Sequence, residues 1–367
     1  MKIVYPDYQH SILNLVNSIM KHFDVEHHHD TLPILDKELG KQYKNVVLLV
    51  LDGMGSKVLQ SHQHTFPFLN KHIKDEITSV FPPTTVAATT TLESGLAPVE
   101  HSWLGWSLRF EELQENVNVF INTNEKGEQV RDYHVARTHI PYISIVDRIN
   151  AKGSAQAYAV SPYNTYKVDT FEELFSSIEQ LCAQEGRHYL YTYWPQPDIT
   201  MHCEGVDSEG TKQQLRMIED AVKELCEKLK DTLLVITADH GHIACDNEVL
   251  SKQPEIMNML ICPPSIEARA LSFFVKEEKK DLFPDVFHKY YGKDYLLFSK
   301  QEIMESRLFG EGKQHPQFSS FLGDYLAVAK SNKAIYMYEK EAKEIVSTHA
   351  GLSEEEMMVP LIMISCK

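Results

Sequence analysis

Asn45-Val46-Val47-Leu48-Leu49-Val50-Leu51-Asp52-Gly53 is the stretch whose reading decides the fold. An apolar run of this length without polar alternation belongs to a strand buried on both faces, as in a parallel sheet covered by helices. Comparable runs recur at Ala155 to Val160, Tyr189 to Trp194, Leu233 to Thr237 and Val359 to Ile364. Helical stretches such as Thr170 to Ala183 and Thr211 to Leu229 lie between them, so strand and helix alternate. Upstream, Ile12, Leu13, Leu15, Val16, Ile19 and Met20 are spaced as on an amphipathic helix between about Tyr8 and Phe23. From about Cys245 to Lys333 the pattern breaks into short mixed segments around Pro263-Pro264, Gly292 and Gly310-Glu311-Gly312. The expectation is an α/β fold with a mostly parallel central sheet and helices on both faces. Residues 1–244 form its core, 245–333 an inserted cap and 334–367 a return to the core.

At 367 residues the chain has room for one large domain with an insertion, or for two modest ones. It is 43% hydrophobic and 24% charged and lacks any apolar run near the ~20 residues of a membrane span, so a soluble protein with no membrane partner is expected. A net charge of -16 argues against a track for long nucleic acid, which needs clustered Lys and Arg. Small anionic substrates stay open, because bound divalent cations invert the local field of an acidic site. Met1-Lys2-Ile3-Val4-Tyr5-Pro6-Asp7 lacks the pattern of a secretory signal, so a cytoplasmic location is expected. The six cysteines are scattered without a CxxC pair, which suits reduced thiols and leaves any metal to His and Asp. Nothing in the sequence speaks to the oligomeric state.

Several strands end in a carboxylate or hydroxyl, or lead to a loop carrying a histidine. In open α/β sheets the ligand crevice lies beyond the carboxyl ends of the strands, so such residues can converge from distant stretches. Leu51-Asp52-Gly53-Met54-Gly55 delivers Asp52 into a tight turn, where it could equally be a turn or helix cap. In Ser79-Val80-Phe81-Pro82-Pro83-Thr84-Thr85-Val86-Ala87-Ala88-Thr89 two prolines stop a strand, and a helix runs on to about Gly95. Capping alone explains a threonine at that helix start, yet the same position lets N–H groups and the helix dipole stabilise phosphoryl oxygens. Asp198 and His202, after the strand ending at Trp194, have the spacing of one helical face and can share a cation. Val235-Ile236-Thr237-Ala238-Asp239-His240-Gly241-His242 sends adjacent Asp and His from a core strand into a glycine turn, which is costly unless they are paired or metallated. His349 sits in a small-residue loop before the terminal strand. Three Asp, three His and one hydroxyl are the inventory for two divalent cations sharing a phosphoryl group.

These residues carry a resemblance. Leu51-Asp52-Gly53, Pro83-Thr84-Thr85 followed by Leu92-Glu93-Ser94-Gly95-Leu96-Ala97-Pro98 and His101, Pro197-Asp198 with His202 and Gly205, Ala238-Asp239-His240-Gly241, and His349-Ala350-Gly351-Leu352-Ser353 occur in the order seen in one family. The chain resembles the alkaline phosphatase superfamily, in its type I phosphodiesterase/nucleotide pyrophosphatase branch. The resemblance implies a two-metal hydrolase acting on a small phosphorylated substrate, for example a nucleotide, through a phosphothreonine intermediate on Thr85, with Thr84 as the fallback. It implies that Asp198, His202 and His349 hold one metal, while Asp52, Asp239, His240 and the Thr85 oxygen hold the other. Zinc is the first choice for this mixture of imidazole and carboxylate, with manganese the alternative.

One position departs from the family pattern: many relatives carry an Asn three residues after the nucleophile, and this chain has Ala88. That leaves monoester against diester open. Phosphoryl transfer of the phosphomutase type and a catalytically silent metal-binding scaffold are the alternative functions. Sulfatase chemistry lacks its Cys or Ser followed by Pro and Arg at Pro83-Thr84-Thr85-Val86. His27-His28-His29 reads as a solvated loop and His101 as structural or supporting. Trp103-Leu104-Gly105-Trp106, with Tyr193 and Trp194, reads as either a leaving-group wall or core.

Overall fold

The computed structural model describes residues 1–367. The apolar run becomes the Asn45–Leu51 strand, every residue of which is buried. It lies inside a seven-stranded sheet ordered Ile73–Thr78, Met358–Cys366, Thr232–Thr237, Asn45–Leu51, His188–Trp194, Gln156–Ser161, Tyr166–Lys167. Asn45–Leu51 pairs in parallel with Thr232–Thr237 on one side and His188–Trp194 on the other. The sheet is mostly parallel and flanked by helices, as expected. Met358–Cys366 is its antiparallel member, pairing antiparallel with both neighbours.

The expected helices form with small shifts at their ends. Thr170 caps Phe171–Ala183 through a capping box with Glu173, and Ser208 caps Glu209–Lys228. The helix after the two prolines is Thr85–Ser94, stopped at Gly95, which adopts φ +73 and where a Cβ would lie 2.3 Å from Met20 Sδ. Met20 belongs to the amphipathic Ile12–His22 helix, which packs on Thr85–Ser94 with its apolar residues buried. One apolar cluster runs through the sheet and these helices. No helix is long and apolar enough to cross a membrane.

A second sheet of six strands is ordered Tyr295–Ser299, Tyr325–Ala329, Ala270–Phe273, Ser265–Glu267, Ser107–Phe110, Glu115–Asn118. The boundary expected at residue 244 does not separate the two sheets, because the Ser107–Asn118 hairpin leaves the first sheet's part of the chain to complete the second. It joins through Ser107 opposite Ile266. Two smaller apolar clusters lie with this layer.

Candidate active site

Strand register sets the site. Leu51 is level with Trp194, and Val50 with Thr237, so three adjacent strands release their next residues at one edge. Main-chain bonds carry the alignment past the strand ends: Asp52 N donates to Trp194 O at 3.0 Å, and Asp198 N to Asp52 O at 3.0 Å. Asp239 is held by N–H donors from Gly53 at 3.1 Å and His240 at 3.0 Å. The helix Asp198–Glu204 brings His202 Nε2 to 3.5 Å from Asp198 Oδ1, the one-face geometry expected of that spacing. His349 arrives from Ser347–Thr348, which pairs with Ile243–Ala244. Its imidazole stacks on that of His240, with centroids 3.8 Å apart. Ala350 follows at φ +90, a strained conformation for a residue with a Cβ.

Thr85 opens its helix, and its Oγ1 lies 3.2 Å from His240 Nε2 and 3.4 Å from Asp52 Oδ2. Thr84 Oγ1 instead donates to Glu267 Oε1 at 2.6 Å. Of the two threonines, Thr85 is the one facing the cluster. All seven residues singled out from the sequence therefore meet in one place. Donor atoms of Asp198, His202, His242 and His349 form one group, and those of Asp52, Asp198 and His240 another, each within 4.8 Å. Asp198 belongs to both. Asp239 stands behind the second group, with Oδ2 3.6 Å from His240 Nε2.

Burial governs the electrostatics. Desolvation, then the charges of Asp198 and Asp239, drive the Asp52 carboxyl well above its usual range. Burial pushes Asp239 up to about 7 in spite of its N–H donors. Burial acts the same way on Asp198, but His202, His242 and His349 outweigh it and hold that carboxyl well below its usual range. Burial and the facing His240 ring depress His349, and burial takes His242 down to about 4. Two buried polar atoms, Asp239 Oδ2 and His349 Nδ1, have no hydrogen-bond partner. Crowded carboxylates, neutral imidazoles and partnerless donor atoms are what a cation-binding pocket requires, so these residues fit divalent metals.

His242 was missed as a member of the cluster. Its Nε2 lies 2.6 Å from Asp198 Oδ1 and its Nδ1 2.9 Å from Ser347 Oγ. The sequence signal was its spacing: two residues after His240 across Gly241, in a turn that points both rings the same way. At Gly241 a Cβ would fall 2.0 Å from Glu355 O, so only glycine permits that turn. Ser347 carried no signal, yet its carbonyl binds His202 Nδ1 at 2.9 Å and its hydroxyl faces His242. Tyr193, open between wall and core, places its hydroxyl on Asp52.

Ala88 is fully buried in the main apolar cluster. Trp103 is buried and donates from Nε1 to Ile140 O at 2.8 Å, whereas Trp106 is 43% exposed. His101 is buried between Thr91 Oγ1 and Trp103 N and ties the helix to the loop that follows. His29 pairs with Glu100 at 2.6 Å. A cavity of about 480 Å³ runs beside Thr85–Ser94, lined by Glu93, Trp103, Tyr142, Tyr163, Tyr189 and Tyr191 among others. Tyr163 links it to the site, its ring 6.1 Å from that of Tyr193.

A buried Asp/His cluster beside a threonine hydroxyl, at the carboxyl edge of a helix-flanked sheet, defines the class of metal-dependent phosphoric ester hydrolases. The chain belongs to the type I phosphodiesterase / nucleotide pyrophosphatase family, whose model matches residues 46–351. No curated protein matches the sequence. Among solved structures, murine ectonucleotide pyrophosphatase/phosphodiesterase 5, an inactive threonine-to-alanine variant in complex with AMP, is 16% identical over 86% of this chain and 87% of its own, with a TM-score of 0.63. The human protein of the same name is 16% identical over 87% of each chain, with a TM-score of 0.66. Phosphonoacetate hydrolase from Sinorhizobium meliloti 1021, in complex with phosphonoformate, is 15% identical over 86% of this chain and 89% of its own, with a TM-score of 0.60. At these identities the likeness shows a shared fold.

Proposed function

We propose that the chain cleaves a small phosphate ester or diester with Thr85 Oγ1 as the nucleophile. The observation that carries this reading is the position of that hydroxyl: first residue of a helix, 3.2 Å from His240 Nε2 and 3.4 Å from Asp52 Oδ2. Asp198, His202 and His349 would hold one divalent cation, and Asp52, Asp239, His240 and Thr85 Oγ1 the other; their donor chemistry favours zinc, with manganese next. When bound, the cations lower the pKa of the hydroxyl and stabilise charge on the entering and leaving oxygens.

The protein's own residues supply position and shape. Tyr193 fixes Asp52, and the Gly241 carbonyl holds His240 Nδ1 at 3.0 Å, which turns Nε2 towards Thr85. The N-terminus of Thr85–Ser94 offers free N–H groups to the phosphoryl oxygens. Attack at phosphorus yields a phosphothreonine at Thr85 and expels the leaving group. Water then cleaves that bond from the vacated side, and two inversions retain configuration at phosphorus. The aromatic cavity beside Tyr163 receives the leaving group, and its size suits a nucleoside. The AMP complex of the murine relative supports that class of ligand, and its inactivation by loss of a threonine supports threonine-dependent chemistry.

Hydrolysis of 4-nitrophenyl phosphate and bis(4-nitrophenyl) phosphate by zinc- or manganese-loaded protein tests the reading, with Thr85→Ala as control. Turnover should fall at least about a thousandfold in the variant while metal content stays nearly unchanged, since Asp52, Asp239 and His240 remain as donors. Equal turnover by wild type and variant would remove Thr85 from the chemistry.

A further inference from the structure

The second sheet contributes one residue beside the catalytic cluster, Glu267. Its Oε1 accepts from Thr84 Oγ1 at 2.6 Å and from Trp106 N at 2.8 Å, so it is clamped to the residue preceding Thr85. Both contacts fall on Oε1, and Oε2 accepts no hydrogen bond. The backbone that delivers it is unusual: Ile266 holds φ +79, rarely adopted by a β-branched side chain. Gly105 packs so closely that a Cβ there would lie 2.8 Å from Ile266 O.

Burial raises the Glu267 carboxyl above its usual range, and the next strongest influences, Thr84, Trp106 N–H, His240 and His202, all favour the carboxylate, with no lysine or arginine among them. Glu267 is in no salt bridge that would neutralise it, unlike the surface carboxylates paired with lysines. Trp106, whose N–H binds Glu267, is 43% exposed, and Phe120, with its ring centroid 6.5 Å from that of Trp106, is 40% exposed. Next to Thr85 the protein therefore offers a carboxylate and an apolar shelf, where a phosphate monoester would need a cation for its extra anionic oxygen.

Resting on the function proposed above, we propose that Glu267 is a specificity residue that rejects dianionic phosphoryl groups, so that the site takes monoanionic diesters whose second substituent lies on Trp106 and Phe120. A monoester dianion presents a charged oxygen where the diester presents an ester-linked group. One like charge held in a partly buried site is enough to separate the two by about tenfold.

The test compares metal-loaded wild type with Glu267→Gln, since glutamine keeps an oxygen for Thr84 and Trp106 but not the charge. Wild type should prefer bis(4-nitrophenyl) phosphate to 4-nitrophenyl phosphate in kcat/KM, and the variant should lower that ratio by about tenfold. Calorimetry should show inorganic phosphate binding about tenfold tighter to the variant, with dimethyl phosphate unchanged and wild type and variant equal in metal content. An unchanged ratio and unchanged phosphate affinity in a fully metallated variant would overturn the role of Glu267 while leaving the hydrolase reading in place. Loss of metal from the variant would make Glu267 structural and also overturn it. Inactivity of wild type on both substrates would remove the hydrolase reading and this one together.

Discussion

Arg269→Met should destabilise the metal-free protein by about 3–5 kcal/mol, the cost of leaving one member of a fully buried ion pair without its partner. Arg269 sits in the turn between Ser265–Glu267 and Ala270–Phe273, and its side chain and that of Glu356 are both 0% exposed. It donates from Nε and Nη2 to Glu356 at 2.6 and 2.7 Å, and from Nη1 to Lys333 O at 2.7 Å. Burial opposes ionisation of Glu356, but the guanidinium outweighs it and holds that carboxyl below its usual range. The methionine variant keeps only the Gly351 and Ser353 N–H donors, at 2.7 and 3.2 Å, on a buried carboxylate. In the double variant with Glu356→Gln both charges are gone and an amide oxygen remains for Gly351, so it should be more stable than Arg269→Met alone by about 2 kcal/mol. Urea unfolding in chelator, read as a shift in midpoint at constant m-value, measures both. Additive losses in the double variant, or a loss under about 1 kcal/mol in the single one, would refute the assignment of an ion pair whose worth depends on its partner.

Other outcomes follow from the site itself. Without metal, Asp239, raised to about 7 by burial, loses its proton between about pH 6 and 8 and takes stability with it, while His242 and His349, depressed in the fold, add stability as their unfolded imidazoles deprotonate near 6.5 and so oppose that loss. The folded pKa of Asp239 lies above the unfolded one, so its contribution is full below about pH 4 and is lost as pH climbs through 7; in pH-dependent urea melts the stability of Asp239→Asn relative to wild type should therefore rise between about pH 6 and 8. His242→Ala should weaken metal binding by about 10–100-fold in a chelator competition, since His242 bears directly on Asp198. Saturation with zinc at about 1,000 times its dissociation constant should add about 4 kcal/mol to stability, seen as a raised melting temperature that chelation reverses.

The central sheet was legible because a buried parallel strand writes an unbroken apolar run, and the three central parallel runs meet the crevice at their carboxyl ends. Asp52, Asp198 and Asp239 announced themselves by standing just past those runs. His349 and Thr85 needed the order of the motifs, since a lone loop histidine or helix-capping threonine has a commoner explanation. What stayed hidden depends on pairings between distant residues. The Ser107–Asn118 hairpin joins the second sheet only through Ser107 opposite Ile266, a contact that no local periodicity records. Glu267 reaches the site from that sheet, and Ser347 acts through its carbonyl, which has no sequence identity at all.

The hidden contacts bear on how the site is held ready. Three carboxylates and four imidazoles share a buried space, where the carboxylates repel one another and every ring has to be held in place. Main-chain carbonyls do so on the histidine side: Ser347 O on His202 and Gly241 O on His240 each accept from Nδ1–H, because a carbonyl cannot donate. Both rings are thereby set in the tautomer that leaves Nε2 bare and directed inward. The loops that carry those carbonyls are in turn tied to Glu356, whose main-chain oxygen accepts from Gly241 N at 2.8 Å and whose carboxylate accepts from Gly351 N. The Arg269–Glu356 pair thus bears on the loops of both His240 and His349. Breaking it should cost metal affinity as well as fold stability, although Arg269 touches no residue of the cluster. A variant that lost several kcal/mol of stability yet bound zinc as tightly as wild type would show instead that the loops hold their shape independently of the pair.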